Sequence, residues 1–207
     1  AEFDTFLAGL TNESGKVQRG IVVGEIGEIG DTQYGKSLTL RQSAKKYYAS
    51  QTLIDHAAAT YSHAWRAIGE RSARVVAVLL VERTPKGHLK LIDLAAKLCS
   101  SSFIPCDSIR EVAMANRLVA EHRDFVKPTR MADGDDMLPD FELTDTDPIA
   151  HVEVYGMNGL ASYEARKAAK RALRLQRDIP CVEWNVDREA LAQVALPPPA
   201  RPSTSRA

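Results

Sequence analysis

From "GIVVGEI" through "SLTLRQ" the apolar residues alternate with polar ones around glycine-containing turns, the two-residue period of strands rather than the period of helices. Leu38 and Leu40 alternate with Ser37 and Thr39, which predicts the second strand of a hairpin turning between Asp31 and Lys36. A helix is predicted over about residues 51–69, then the strongly apolar strand "ARVVAVLLVE", a Pro-Lys-Gly turn and a further helical stretch in "KLIDLAAKLCS". In "CDSIREVAMANRLVAEH" apolar residues recur at helical spacing behind Asp107 or Ser108 as N-cap, predicting a helix over about 108–122. Three strands are predicted next, at about 124–131, in "PDFEL" at 139–143 and in "AHVEVYG" at 150–156. A long helix over about 159–177 then leads into a last strand, "IPCVEWNV". The order helix, three strands, helix, strand predicts an α/β protein with a mixed α+β sheet, preceded by a lobe made of a β-hairpin and helices. The expected divisions are residues 1–100 for that lobe, 101–190 for the core and 191–207 for a tail. No internal repeat is present.

Composition narrows the classes. With 207 residues, 44% of them hydrophobic and 26% charged, the chain can bury one good core with a small second lobe. Lys plus Arg and Asp plus Glu both total 27, so net charge selects no partner and any preference must come from local clustering. Cys99, Cys106 and Cys181 are odd in number and unclustered, which argues against a disulfide framework and a cysteine zinc site and for a reducing, cytoplasmic setting. No apolar run approaches the roughly 18 residues of a membrane span, so no membrane association is expected. The first residue is Ala1 rather than Met, as in a piece of a longer chain, and the tail "PPPARPSTSRA" reads as disordered.

The segment "GDTQYGKS" at residues 30–37 fits the phosphate-loop pattern G-x-x-x-x-G-K-[ST]. That pattern works when a helix begins at its Lys-Ser and turns backbone N–H groups on the phosphates. The alternation after Lys36 predicts a strand there, so an NTPase is the weakest functional reading.

More chemistry sits in the second half. Asp133, Asp135, Asp136, Asp140, Glu142, Asp145 and Asp147 follow one another without a Lys or Arg. Most suit a solvated loop. If "DFELT" is a strand, Phe141 and Leu143 face the core while Asp140, Glu142 and Thr144 face away; in "HVEVY", His151, Glu153 and Tyr155 share the polar face. Two carboxylates such as Asp140 and Glu153 held together repel unless a cation or a shared proton lies between them, which points to a divalent metal. The next helix carries Arg166, Lys167, Lys170, Arg171, Arg174 and Arg177. At about 100° per residue, Tyr163, Arg166, Lys170 and Arg174 form one stripe and Ala161, Ala165, Ala168 and Ala172 the reverse face, expected to pack on the sheet. The basic stripe is either a solvated side or a nucleic-acid contact surface. His56, His63, His88, His122 and His151 lack metal-ligand spacing, and Cys106 lacks a His partner for nucleophilic work.

"LPDFELTD", "HVEVYG", "YEARKAAK" and "IPCVEWNV" together resemble the PD-(D/E)XK restriction-endonuclease-like nucleases. A narrower likeness, over about residues 20–190 and including "VERTPKG" and "FIPCDS", is to the C-terminal part of an uncharacterised bacterial family of unknown function often found near integrative and conjugative elements. The resemblance implies a restriction-endonuclease-like αβββαβ core that hydrolyses DNA with Mg²⁺ or Mn²⁺ held by Asp140 and Glu153, with Glu111 a further ligand. The lysine that usually follows the second acid by two residues is replaced by Tyr155; in related subgroups it sits on the following helix in a Y-x-x-[KR]-x-x-x-K pattern, which Tyr163, Arg166 and Lys170 match. Lys170 then completes the catalytic set with Asp140 and Glu153, and Arg166, Lys167, Lys170 and Arg174 would grip the nucleic acid. The alternative is a nuclease-like module that binds nucleic acid or a protein without cutting.

Overall fold

The structure, a computed structural model, describes residues 2–13, 16–131, 133, 136–156 and 161–200. Asp135, the Gly159–Leu160 start expected for the long helix and the end of the tail from 201 lie outside the described residues. The chain divides into two compact units that meet in sequence at Ile109 and Arg110. Among the described residues no helix is long and apolar enough to cross a membrane.

The first unit opens with helix α1 (Glu2–Gly9) and a small ladder of β1 (Asn12–Glu13) and β2 (Lys16–Val17). It then builds a closed barrel from β3 (Arg19–Thr32), β4 (Gly35–Leu40), β5 (Ser43–Ala49), β6 (Ala73–Arg83) and β7 (Leu89–Ser100), in the order β3-β4-β5-β7-β6. Neighbours are antiparallel except β5 and β7, which meet in parallel at Tyr48 and Lys90. Between β5 and β6 lie α2 (Gln51–Thr60) and α3 (Ser62–Arg66). The single helix expected there breaks at Tyr61; α2 starts on Ser50, whose hydroxyl accepts the Leu53 N–H at 3.2 Å. Alternation fills the barrel: Ala73, Val75, Ala77, Leu79 and Val81 of β6 are buried, as are Leu38, Leu40 and Tyr47 of β4 and β5.

Two sequence expectations meet the barrel differently. "GDTQYGKS" forms the β3–β4 turn, with Asp31 paired to Lys36 and Thr32 to Gly35. Gly35 has φ +143°, and a Cβ there would come within 2.5 Å of the Ala49 carbonyl oxygen, so the second glycine serves a tight turn. No helix follows, and the half-buried Lys36 side chain pairs with Asp31 at 2.5 Å. "KLIDLAAKLCS", expected to be helical, is strand β7. Its register slips against β6 between Leu80–Asp93 and Val81–Leu91, leaving Ile92 as a bulge. The bulge resets the alternation, so the buried leucines fall at 89, 91, 94 and 98, a spacing that imitates a helix.

The second unit contains α4 (Ile109–Ala120), β8 (Phe125–Val126), β9 (Phe141–Leu143), β10 (Ala150–Tyr155), α5 (Ala161–Gln176) and β11 (Cys181–Asn185). This is the expected helix, three strands, helix, strand, although β8 covers only two of the residues expected in its strand. The sheet runs β11-β10-β9-β8, antiparallel except for the parallel pair β10 and β11. Val112, Met114 and Leu118 of α4 are buried, as are Phe141, Leu143, Val152 and Trp184 of the sheet. The tail departs from the disorder expected of its prolines as far as residue 200. A 3-10 turn at Leu191–Gln193 is fixed by the Arg117 guanidinium donating to the Leu191 carbonyl at 2.6 Å, Val194 is 4% exposed, and the Ala200 N–H donates to the Asp145 carbonyl at 2.7 Å.

Candidate functional site

Glu153 lies at the middle of β10 and is 3% exposed. A carboxylate so far from water needs partners, and two cations from α5 supply them. Lys170 Nζ stands 2.9 and 3.1 Å from its two oxygens and also donates to the Leu138 carbonyl at 2.7 Å. Arg174 Nη2 donates to Oε1 at 2.5 Å.

β9 brings in the second acid. Phe141 pairs with Val152 and Glu142 with His151, so continuing the register by one residue sets Asp140 across from Glu153. Asp140 Oδ2 accepts the Val154 N–H at 2.7 Å. Burial raises the Asp140 carboxyl from 3.8 to about 6, with the charges of Glu111 and Glu153 adding to the rise against the Val154 hydrogen bond and Lys127. Glu111, on the first turn of α4, is 7% exposed and receives Lys127 Nζ at 2.8 Å. Asp140, Glu153 and Glu111 therefore share one electrostatic neighbourhood.

The helix α5 turns an unexpected face to the sheet. Tyr163, Lys167, Lys170 and Arg174, three or four residues apart, point inward, while Ala165, Ala168 and Ala172 are exposed. The expectation that the alanines pack on the sheet is thus reversed. The reason lies in the sheet: β10 and β11 run parallel with Glu153 beside Glu183, and an alanine face packed there would leave these carboxylates removed from water without counter-charges, at a cost of about 3–5 kcal/mol for a buried one. Arg171 forks onto Glu183, with Nε at 2.7 and 2.9 Å from its oxygens and Nη2 in contact as well. Tyr155 donates to Glu183 at 3.1 Å, and Lys167 Nζ lies 4.0 Å from the centre of the Tyr155 ring. Burial pushes the Tyr155 hydroxyl up, and the Arg171 hydrogen bonds hold the Glu183 carboxyl low against its own burial. Of the four residues expected at a nucleic-acid surface, Arg166 is exposed and Lys170 half-buried, whereas Lys167 and Arg174 are 7% and 3% exposed.

The position two after Glu153 holds Tyr155, whose ring faces Lys167, while Lys170 reaches the Glu153 carboxylate itself from the helix. Gly156 follows because Arg110 lies against it: an added Cβ would come within 2.7 Å of the Arg110 side chain. His151, on the same face, sits 4.0 Å from Glu142, and burial followed by the Arg174 and Lys170 charges lowers its pKa. A cavity of about 150 Å³ opens here, lined by Leu138, Pro139, Glu142, His151 and Arg177. Cys106 is 1% exposed and donates to the Ile104 carbonyl, so it offers no accessible nucleophile. Glu183 and Lys127 join the cluster without having stood out in the sequence. A signal for Glu183 exists: "HVEVY" and "CVEWN" carry Glu at the same place in two strands of equal parity.

Among the described residues no three His, Cys, Asp or Glu side chains converge on one metal position. The donor set nevertheless has the chemistry of a hard divalent cation: oxygens alone, with mutual repulsion that helps lift Asp140 to about 6 and that a cation would relieve.

The family model described as Protein of unknown function (DUF1173) matches residues 1–186, and the chain belongs to that family. No curated protein and no solved structure matches it.

Proposed function

We propose that this DUF1173 member is a metal-dependent nuclease of the restriction-endonuclease-like kind, hydrolysing phosphodiester bonds of DNA at Asp140, Glu153 and Lys170. The observation that carries the reading is the delivery of Lys170 from α5 to the Glu153 carboxylate at 2.9 Å, with Asp140 across from Glu153 in the β9–β10 register. A phosphodiesterase needs acids that hold a cation at the scissile phosphate and a cation-bearing side chain that orients the attacking water. The order α4-β8-β9-β10-α5-β11 and the sheet order β8-β9-β10-β11 support the same core.

Asp140, Glu153 and Glu111 would hold the Mg²⁺ or Mn²⁺, which when bound supplies neutralisation of phosphate charge and a lowered pKa for a coordinated water. Glu153 keeps Lys170 in place, and Leu138 fixes the same ammonium by its carbonyl. Arg174 balances the Glu153 charge inside the unit. Lys170, 30% exposed, is the member of the cluster that solvent and substrate can reach. Arg166, on the outer side of α5, is the exposed cation for a phosphate of the backbone.

One observation favours a second reading, a binding module without hydrolysis. Glu153 is already satisfied by Lys170 and Arg174, and Glu111 by Lys127, so these acids persist without a metal. Incubation of the purified chain with single- and double-stranded DNA in Mg²⁺ or Mn²⁺ separates the two. Cleavage that disappears in Asp140→Asn is the expected result. Asn keeps an acceptor for the Val154 N–H, so the variant should stay folded. DNA bound but never cut, by parent and variant alike, favours the module and removes the enzyme.

A further inference from the structure

We infer that the barrel of the first unit binds single-stranded nucleic acid in a cleft formed by β5, the β6–β7 turn and α1. The cleft has a volume of about 450 Å³, and its lining includes Tyr48, His88, Lys45, Lys46, Arg83 and Asp4. Three features make it a built site. Tyr48 of β5, 37% exposed, and His88 of the turn meet edge to face with ring centres 5.5 Å apart, a fixed aromatic platform at the surface. Lys45, Lys46 and Arg83 stand against the single acid Asp4, which Lys45 already pairs at 3.2 Å, so the cleft has an excess of positive charge in a chain with none overall. Arg83 holds the walls: it donates to the Leu7, Leu10 and Gly87 carbonyls, at 2.5, 3.1 and 2.6 Å, tying α1 and the β6–β7 turn to the strand. A preformed wall lowers the ordering cost of binding.

An aromatic surface flanked by lysines is the recognition chemistry of an unpaired strand, whose bases offer π-faces and whose phosphates follow the cations. Duplex DNA hides those faces. The location agrees with the topology. Closure in the order β3-β4-β5-β7-β6, with helices between the third and fourth strands and a parallel pairing of the third with the fifth, is that of small Greek-key barrels that use the face of their second and third strands and the adjoining turns for oligonucleotides or oligosaccharides. The charge selects the nucleotide over the sugar. Tyr34, 88% exposed at the β3–β4 turn, offers a further ring for stacking beyond the cleft, a role for "GDTQYGKS" unrelated to a nucleoside triphosphate.

Fluorescence anisotropy tests this with a labelled 15-nucleotide oligo-dT and its duplex, using the full chain carrying Asp140→Asn in EDTA so that no cleavage interferes. The expected result is binding of the single strand over the duplex, weakened about tenfold by Tyr48→Ala and retained by Tyr48→Phe. Lys46→Glu, at an exposed position that leaves the fold alone, should weaken binding and flatten its salt dependence by about 0.7 in slope for each phosphate no longer neutralised. The proposal is overturned if oligo-dT fails to bind at low salt, if Tyr48→Ala and Lys46→Glu bind as the parent does, or if maltoheptaose binds in its place.

Discussion

Lys170 and Arg174 end on the same carboxylate and do different work. The Arg174 side chain is 4% exposed and Lys170 30% exposed, so one is a buried counter-charge and the other faces the solvent side of the cluster. Lys170→Met should therefore cut DNA hydrolysis by about a hundredfold or more while changing the urea midpoint little, since Arg174 still covers Glu153. Arg174→Met should lower the urea midpoint and cost about 3–5 kcal/mol, because Arg174 is the fully buried counter-charge within reach of both Glu153 and Glu183, and its loss leaves Glu153 only the solvent-facing Lys170. Equal loss of stability in the two variants would contradict this division. A second residue pair makes a pH prediction. Arg123 and Asp145 are joined by bonds of 2.6 and 2.7 Å with side chains 5% and 2% exposed, and the Arg123 hydrogen bonds hold the Asp145 carboxyl below its ordinary range. A folded-state pKa below the unfolded value of about 3.9 adds stability that is present above that value and is lost as pH falls through the folded one. Urea unfolding followed from neutral pH downward should show this acid-side loss, and Arg123→Met should be less stable near neutrality and less sensitive to acid.

Elements differ in how far the sequence reveals them. The period-two pattern of β6 and the order α4 to β11 follow from local alternation and capping, which depend on neighbours in sequence. β7 imitates a helix because a single extra residue, Ile92, shifts its leucines to helical spacing, and only the partner strand reveals the bulge. The outer and inner faces of α5 are exchanged for a similar reason. Its alanines look like a packing face until Glu153 and Glu183 are set beside one another by a parallel pairing that links residues 30 apart. The positions of Asp140 and Glu153 on one face, by contrast, follow from strand parity alone. The face exchange carries its own prediction. Leu175 is 84% exposed and Ala168 lies on the outer side, so Ala168→Lys and Leu175→Lys should each shift thermal stability by no more than about 0.5 kcal/mol. A large destabilisation by either would return the alanine face to the sheet.

At the scale of the whole molecule, a barrel with a cationic aromatic cleft and a mixed sheet with an acid and lysine cluster are joined in one chain of the DUF1173 family. The cleft residues all belong to the first unit and the acid and lysine cluster to the second. We propose strand capture for the first and phosphodiester hydrolysis for the second. We propose that Asp140, Glu153 and Glu111 take up a cation, although Lys170 and Arg174 already neutralise Glu153 and Lys127 neutralises Glu111. Electron paramagnetic resonance of Mn²⁺ titrated into the full chain tests that claim directly, because free and bound Mn²⁺ give distinct spectra whether or not any substrate is known. The expected result is Mn²⁺ binding to the parent that Mg²⁺ displaces and that Asp140→Asn weakens strongly. Mn²⁺ that stays free with the parent, or binds the parent and Asp140→Asn equally, would contradict it.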